Sequence, residues 1–166
     1  MLKAIAANES GGRPGIVASD KQSAGFYQIT PSVAKRFASN CGVSISAITD
    51  KPDNPATKGV DESRWVWLIR SDTVKAQSCM AALYLKNLSA TACGCSVRNL
   101  AAGYNGGSGA CGVSYDCRVC KVCNSVTTPV KRYECMWNGA AHTTCNAGYV
   151  PTRRYVPRVQ QCYNIF

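Results

Sequence analysis

Glu9 ends a short apolar segment and is followed at once by Ser10 and the pair Gly11–Gly12. Leu2, Ile5 and Ala6 precede it at spacings that put all four side chains on one face of a helix, which the two glycines then stop. A carboxylate facing apolar neighbours near the negative end of a helix dipole is expected to favour its protonated form, and such a group suits proton donation. The plain alternative is a Glu that solvates a helix terminus. Further along stand other groups with chemistry to offer. Gln28 and Asn105 carry amides that both donate and accept hydrogen bonds. Tyr104 and Tyr155 offer phenols, and Phe26 and Tyr27 offer flat apolar faces. Each also has a structural reading, as a core aromatic, a surface amide or a turn former.

The elements that must position these groups read as mainly helical. Thr30–Pro31 is an N-cap followed by a first helical residue, and Val33, Ala34, Phe37 and Ala38 give that helix an apolar stripe ending before Cys41–Gly42. Residues 49–60 are rich in Pro, Asp, Asn, Lys and Gly and read as a surface loop. Asp61 caps an expected helix containing Trp65, Leu68 and Ile69. Ser71 or Asp72 caps a longer one in which Val74, Ser78, Ala81, Leu85 and Leu88 recur at three- and four-residue steps, the expected buried spine. A shorter helix, Ser96 to Gly103, presents Val97, Leu100, Ala101 and Tyr104 before the turn 106–109. Asn8–Glu9–Ser10 and Asn87–Leu88–Ser89 match the glycosylation sequon, but both fall in expected helices and are read as chance.

At 166 residues the chain suits one domain with a real core. No apolar run approaches the roughly 18 residues that cross a bilayer, and none reads as a signal peptide. The expectation is of a mature or excised domain whose leader lies upstream. Nineteen Lys and Arg against nine Asp and Glu give a net charge of +10, which favours an anionic partner. No RNA-binding signature, nucleic-acid zinc finger or basic helix with interleaved aromatics is present, so nucleic acid is not the expected partner. Eleven cysteines, six of them within residues 111–145, imply disulfides and an oxidising compartment, periplasmic or extracellular. Their odd number leaves at least one thiol free or paired outside the chain. Cys117, Cys120 and Cys123 form a C-x2-C-x2-C run that can instead hold structural zinc, with Cys111, Cys135 or His142 completing the site. The run lacks the second C-x2-C pair of a strong zinc signature, so disulfides are favoured and no cofactor is expected. His142, the sole histidine, is assigned no role.

In order, the chain reads NES (8–10), GFYQITP (25–31), AALYLKNL (81–88), LAAGYNGG (100–107) and TRRYVPRV (152–159). This series resembles the bacterial lytic transglycosylases of the soluble lysozyme-like type, glycoside hydrolase family 23, over residues 1–40, 72–110 and 149–160. The resemblance implies an α+β lysozyme-like fold, mainly α. Residues 1–110 and 146–166 would form the helical catalytic domain, and 111–145 a Cys-rich, loop-rich insertion without a counterpart in the family. It implies that Glu9 is the single acid/base. That residue would protonate the oxygen between N-acetylmuramic acid and N-acetylglucosamine in peptidoglycan, then take a proton from the muramyl 6-hydroxyl, giving a 1,6-anhydro product. One carboxylate then suffices, because the nucleophile belongs to the substrate. The other glutamates, Glu62 and Glu134, lie in no family motif.

By the same resemblance Ser10 would bond near the reacting sugar or help stabilise the intermediate, and Gln28 and Asn105 would fix hydroxyl and acetamido groups. Tyr104 would wall the cleft, Tyr155 would orient the Glu9 carboxyl, and Phe26 and Tyr27 would pack under a sugar ring. The family's Asn before the spine helix is not evident, and the loop 41–71 is long and carries Cys41. Two other functions stay open: a hydrolysing goose-type lysozyme using Asp20 to activate water, and a non-catalytic wall-binding or assembly module whose insertion contacts a partner protein.

Overall fold

A computed structural model describes residues 1–19, 22–49, 67–114, 130–135, 137–138, 144–145 and 149–166. The described chain is mostly helical, with little strand. It divides into two compact units, Met1–Tyr84 with Phe166, and Leu85–Ile165.

In the first unit α1 (Leu2–Ser10) ends where the sequence says it must. Gly11 takes the left-handed conformation at φ 62°, and the amides that follow the helix close back on the Ala6 carbonyl. Ile5 and Ala6 are buried, while Leu2 and Glu9 are half-buried. A looped segment follows in which Ala24 bridges to both Val17 and Ile29. Thr30 then caps α2 (Pro31–Phe37), its hydroxyl accepting from the Val33 amide. A 3-10 turn at Ser39–Cys41, closed by left-handed Gly42, leads to α3 (Ile45–Thr49). Cys41 is disulfide-bonded to Cys79 on α4 (Val74–Ser89).

The start of α4 differs from expectation. Neither Ser71 nor Asp72 caps it; Ser71–Thr73 form a 3-10 turn, and the Asp72 carboxylate pairs with Arg70 instead. That hydrogen bond holds the Asp72 carboxyl below its ordinary range. The buried stripe of α4 is also rotated from the expected one. Gln77 and Met80 are fully buried with Ala81, Leu85 and Leu88, whereas Val74 and Ser78 are half-buried. The expected helix after Asp61 lies largely outside the described residues, and Leu68 and Ile69 stand in a turn.

In the second unit α5 (Val97–Gly106) starts at Ser96, whose hydroxyl accepts from the Asn99 amide, and runs one turn beyond the expected end. Its buried residues are Ala101, Ala102 and Gly103. The small side matters, because a Cβ on Gly103 would lie 2.6 Å from Cys93 Sγ and 3.1 Å from Leu88. Cys93 is disulfide-bonded to Cys111, in the 3-10 turn Ser108–Cys111. α5 packs on α6 (Val150–Ile165), which buries Thr152, Val156 and Val159. Pro157 lies inside α6, where a missing amide costs on the order of 3 kcal/mol.

Of residues 111–145, the structure describes 111–114, 130–135, 137–138 and 144–145. Val113 bridges to Lys131, Ser114 N–H donates to Val130 O, and Arg132 N–H donates to Gly112 O. Beyond it, β1 (Trp137–Asn138) pairs antiparallel with β2 (Thr144–Cys145). Tyr133 and Cys135 are buried, and Cys135 is disulfide-bonded. Among the described residues Cys95 is an exposed free thiol. No helix among the described residues is long and apolar enough to cross a membrane.

Candidate active site

Glu9 lies on the last turn of α1, half-buried, and its neighbour fixes where that turn goes. Ser10 is 4% exposed, and its hydroxyl donates to the Phe26 carbonyl at 2.8 Å; the Ala6 carbonyl lies farther away at 3.3 Å. A hydroxyl has one proton, and the shorter contact takes it. Ser10 therefore ties the acid-bearing helix end to the turn Gly25–Gln28. The group is enclosed and its donor is committed to the main chain. Arg13 adds a second brace, its Nε donating to the Ser10 carbonyl at 3.2 Å, where a cation meets the negative end of the helix.

The turn itself is held from below by Gln77, a residue the sequence reading passed over. Gln77 is 0% exposed. Its Oε1 accepts the Phe26 amide at 3.0 Å, and its Nε2 donates to Leu68 O at 2.8 Å and to Thr73 Oγ1 at 2.9 Å. Gly25 makes the approach possible. At φ +83° it suits only glycine, and a Cβ there would collide with the Leu68 carbonyl oxygen and meet Gln77 Oε1. The available signal was a polar residue among the apolar positions of a buried helix, which must find partners.

Gln28 is held within the loop by its own hydrogen bonds. It sits at φ 48°, in the left-handed region that costs a non-glycine residue energy. Its Nε2 donates to Ile16 O at 3.0 Å and Gly25 O at 2.9 Å, and its Oε1 accepts from Ser23 at 3.3 Å. Both amide protons are spent on the loop, so Gln28 shapes the wall of the site and has none left for sugar. Tyr27 is 5% exposed, with its hydroxyl hydrogen-bonded to Ser78 Oγ at 3.0 Å. It belongs to the core, which leaves half-buried Phe26, packed edge-on against it at 5.1 Å, as the member of the pair that a ligand can reach.

The other expected site residues lie in the second unit. Asn105 is exposed on the last turn of α5, and its Oδ1 accepts from Thr152 Oγ1 at 2.8 Å. A Cβ on Gly106 would lie 2.8 Å from the same hydroxyl, so a glycine is required for α5 to end against α6. Thr152 and Tyr155, three residues apart on α6, share a side of that helix. Tyr104 and Tyr155 are each half-buried. Asp20, Cys117, Cys120, Cys123 and His142 lie outside the described residues. Among those described, no three His, Cys, Asp or Glu side chains cluster to hold a metal ion.

The last turn of α1 thus carries a half-buried carboxylate on a helix end braced against a glycine turn. Residues 1–60 match the family model described as the transglycosylase SLT domain, and this span holds Glu9, Ser10 and the whole Gly25–Pro31 segment. The match supports a transglycosylase-type enzyme acting on peptidoglycan. No curated protein and no solved structure matches the chain.

Proposed function

We propose that this chain is a peptidoglycan lytic transglycosylase in which Glu9 alone serves as acid and then base. Glu9 gives its proton to the glycosidic oxygen between N-acetylmuramic acid and N-acetylglucosamine, and the bond to the muramyl C1 breaks. The resulting carboxylate takes the proton of the muramyl 6-hydroxyl, whose oxygen closes on C1. The product is a 1,6-anhydromuramyl end, and water is neither consumed nor released.

The observation that carries this reading is the coupling of Glu9 to the turn beside it. Ser10 and Gln77 hold the main chain of Phe26 from two sides, and Gln28 holds the loop before it, so the wall next to the acid is fixed before substrate arrives. Phe26 supplies a face for a sugar ring, and the resemblance assigns further substrate contacts to Tyr104, Asn105 and Tyr155. The disulfides fit action outside the reducing cytosol, in the periplasm or beyond.

Digestion of purified walls followed by mass spectrometry tests the proposal. Anhydro ends, each lighter than a reducing end by one water, are the expected product, and Glu9→Gln abolishes them while wall binding persists. Reducing ends would replace the transglycosylase with a hydrolase, and an inert wild type would leave a binding module.

A further inference from the structure

The second unit holds a cavity of about 280 Å³ that none of the proposed site residues lines. Its walls are Arg98, Tyr133, Glu134, Arg153, Val156, Pro157 and Gln160. Residues 153, 156, 157 and 160 share one face of α6, and Tyr155 points roughly 200° away from Arg153 around that helix. The cavity is therefore separate from the face that carries Tyr155.

Its polar groups are pre-set. Arg98 donates through Nε to the Tyr133 hydroxyl at 3.2 Å and through Nη2 to Glu134 Oε1 at 3.2 Å. Glu134 Oε1 also accepts from Tyr133, and its Oε2 accepts the Lys131 amide, so this carboxylate is spent on orienting Arg98. Arg153 is braced by donating through Nη1 to Tyr133 O and Cys135 O. Among the described lining residues two guanidiniums stand with one carboxylate. Arg98 Nη1 and the Gln160 amide have no protein partner among the described residues, while Val156 and Pro157 give an apolar floor. Donors of that kind beside a small apolar surface select a carboxylate carried on a short aliphatic group.

We infer that this cavity binds the C-terminal carboxylate of a short peptide, one or two residues long at the bound end, of the sort that wall glycan carries. The inference deepens the proposed function by giving the chain a second grip on the same polymer, away from the bond that is cut. The volume is just below the usual range of about 300–1,000 Å³ for drug-sized ligands, which suits one alanine-like residue and its neighbour.

The probe is N-acetyl-D-alanyl-D-alanine, compared with its C-terminal amide, titrated into the full chain while side-chain resonances of Arg98 and Gln160 are followed. The acid is expected to bind at least tenfold more tightly than the amide, since one charge-assisted bond is at stake. Gln160→Ala, at an exposed position with no protein partner, weakens it severalfold without loss of stability. Arg98→Gln removes the preference for acid over amide. Acid and amide binding alike, or neither binding by about 10 mM, overturns the site.

Retention on walls tests the source of the peptide. Chain bearing Glu9→Gln is held severalfold better by intact walls than by walls stripped of peptide with an amidase, and Gln160→Ala erases the difference. Equal retention overturns the wall peptide as the occupant. A wild type that binds the peptide but digests no wall keeps the cavity and removes the cleavage proposal; one that digests walls and ignores the peptide does the reverse.

Discussion

Replacing Gln77 with Leu keeps the volume on α4 and removes every hydrogen bond that the side chain makes. Three groups lose a partner: the Phe26 amide, the Leu68 carbonyl and the Thr73 hydroxyl. Thr73 keeps acceptors at Trp67 O and Arg70 O, so its loss is small. The other two are left orphaned next to fully buried residues, at about 1–3 kcal/mol each. The expected cost is therefore about 2–6 kcal/mol, or roughly 5–20 °C in melting temperature for a chain of this length. Denaturant unfolding reads the first quantity and a thermal melt the second. Wall digestion under conditions where the variant stays folded should show kcat falling more than KM, because the Phe26 wall shifts while the outer substrate contacts remain. A loss under about 0.5 kcal/mol, with digestion unchanged, would refute the claim that this amide holds the turn.

Ser10→Ala removes the bond to Phe26 O and should cost about 1 kcal/mol in stability together with kcat; a rise in KM alone would restore the sugar-contact role that its enclosure argues against. Replacing Cys41 and Cys79 together by Ala opens a link across a sequence separation of 38, for which the chain-entropy relation gives about 4 kcal/mol. Denaturant midpoints with and without reductant check that value, and the double variant should have lost its response from this link. Burial favours the neutral phenol of Tyr84, so its pKa is raised from 10.0, with Arg36 opposing the shift. The unfolded chain then gives up that proton first, and stability is constant below about pH 10 and falls as pH rises further. Tyr84→Phe should flatten part of that alkaline decline in denaturation curves; an unchanged slope would show that this phenol does not contribute.

What could be read from the sequence was local. Gly11 stopping α1, Thr30 and Pro31 starting α2, and Ser96 starting α5 each depend on a side chain and the few amides beside it, and each stands where the pattern puts it. Glu9 on a helix end next to two glycines is a fact of the same kind. Contacts that local patterns do not reveal act over distance: Ser10 reaches sixteen positions along the chain to Phe26, and Gln77 reaches back fifty-one. A motif names the residue types that recur around a site and is silent on which of them touch substrate. Counting donors separates the two. Gln28 has two amide protons and two backbone acceptors already in reach, so its presence in a motif reports the shape of a loop at φ 48°, a conformation that no periodicity reveals. By the same count Asn105, exposed with its oxygen bound to Thr152, has no partner for its amide protons among the described residues. Of the two amides assigned to sugar from the motifs, Asn105 is the one whose chemistry remains available for it.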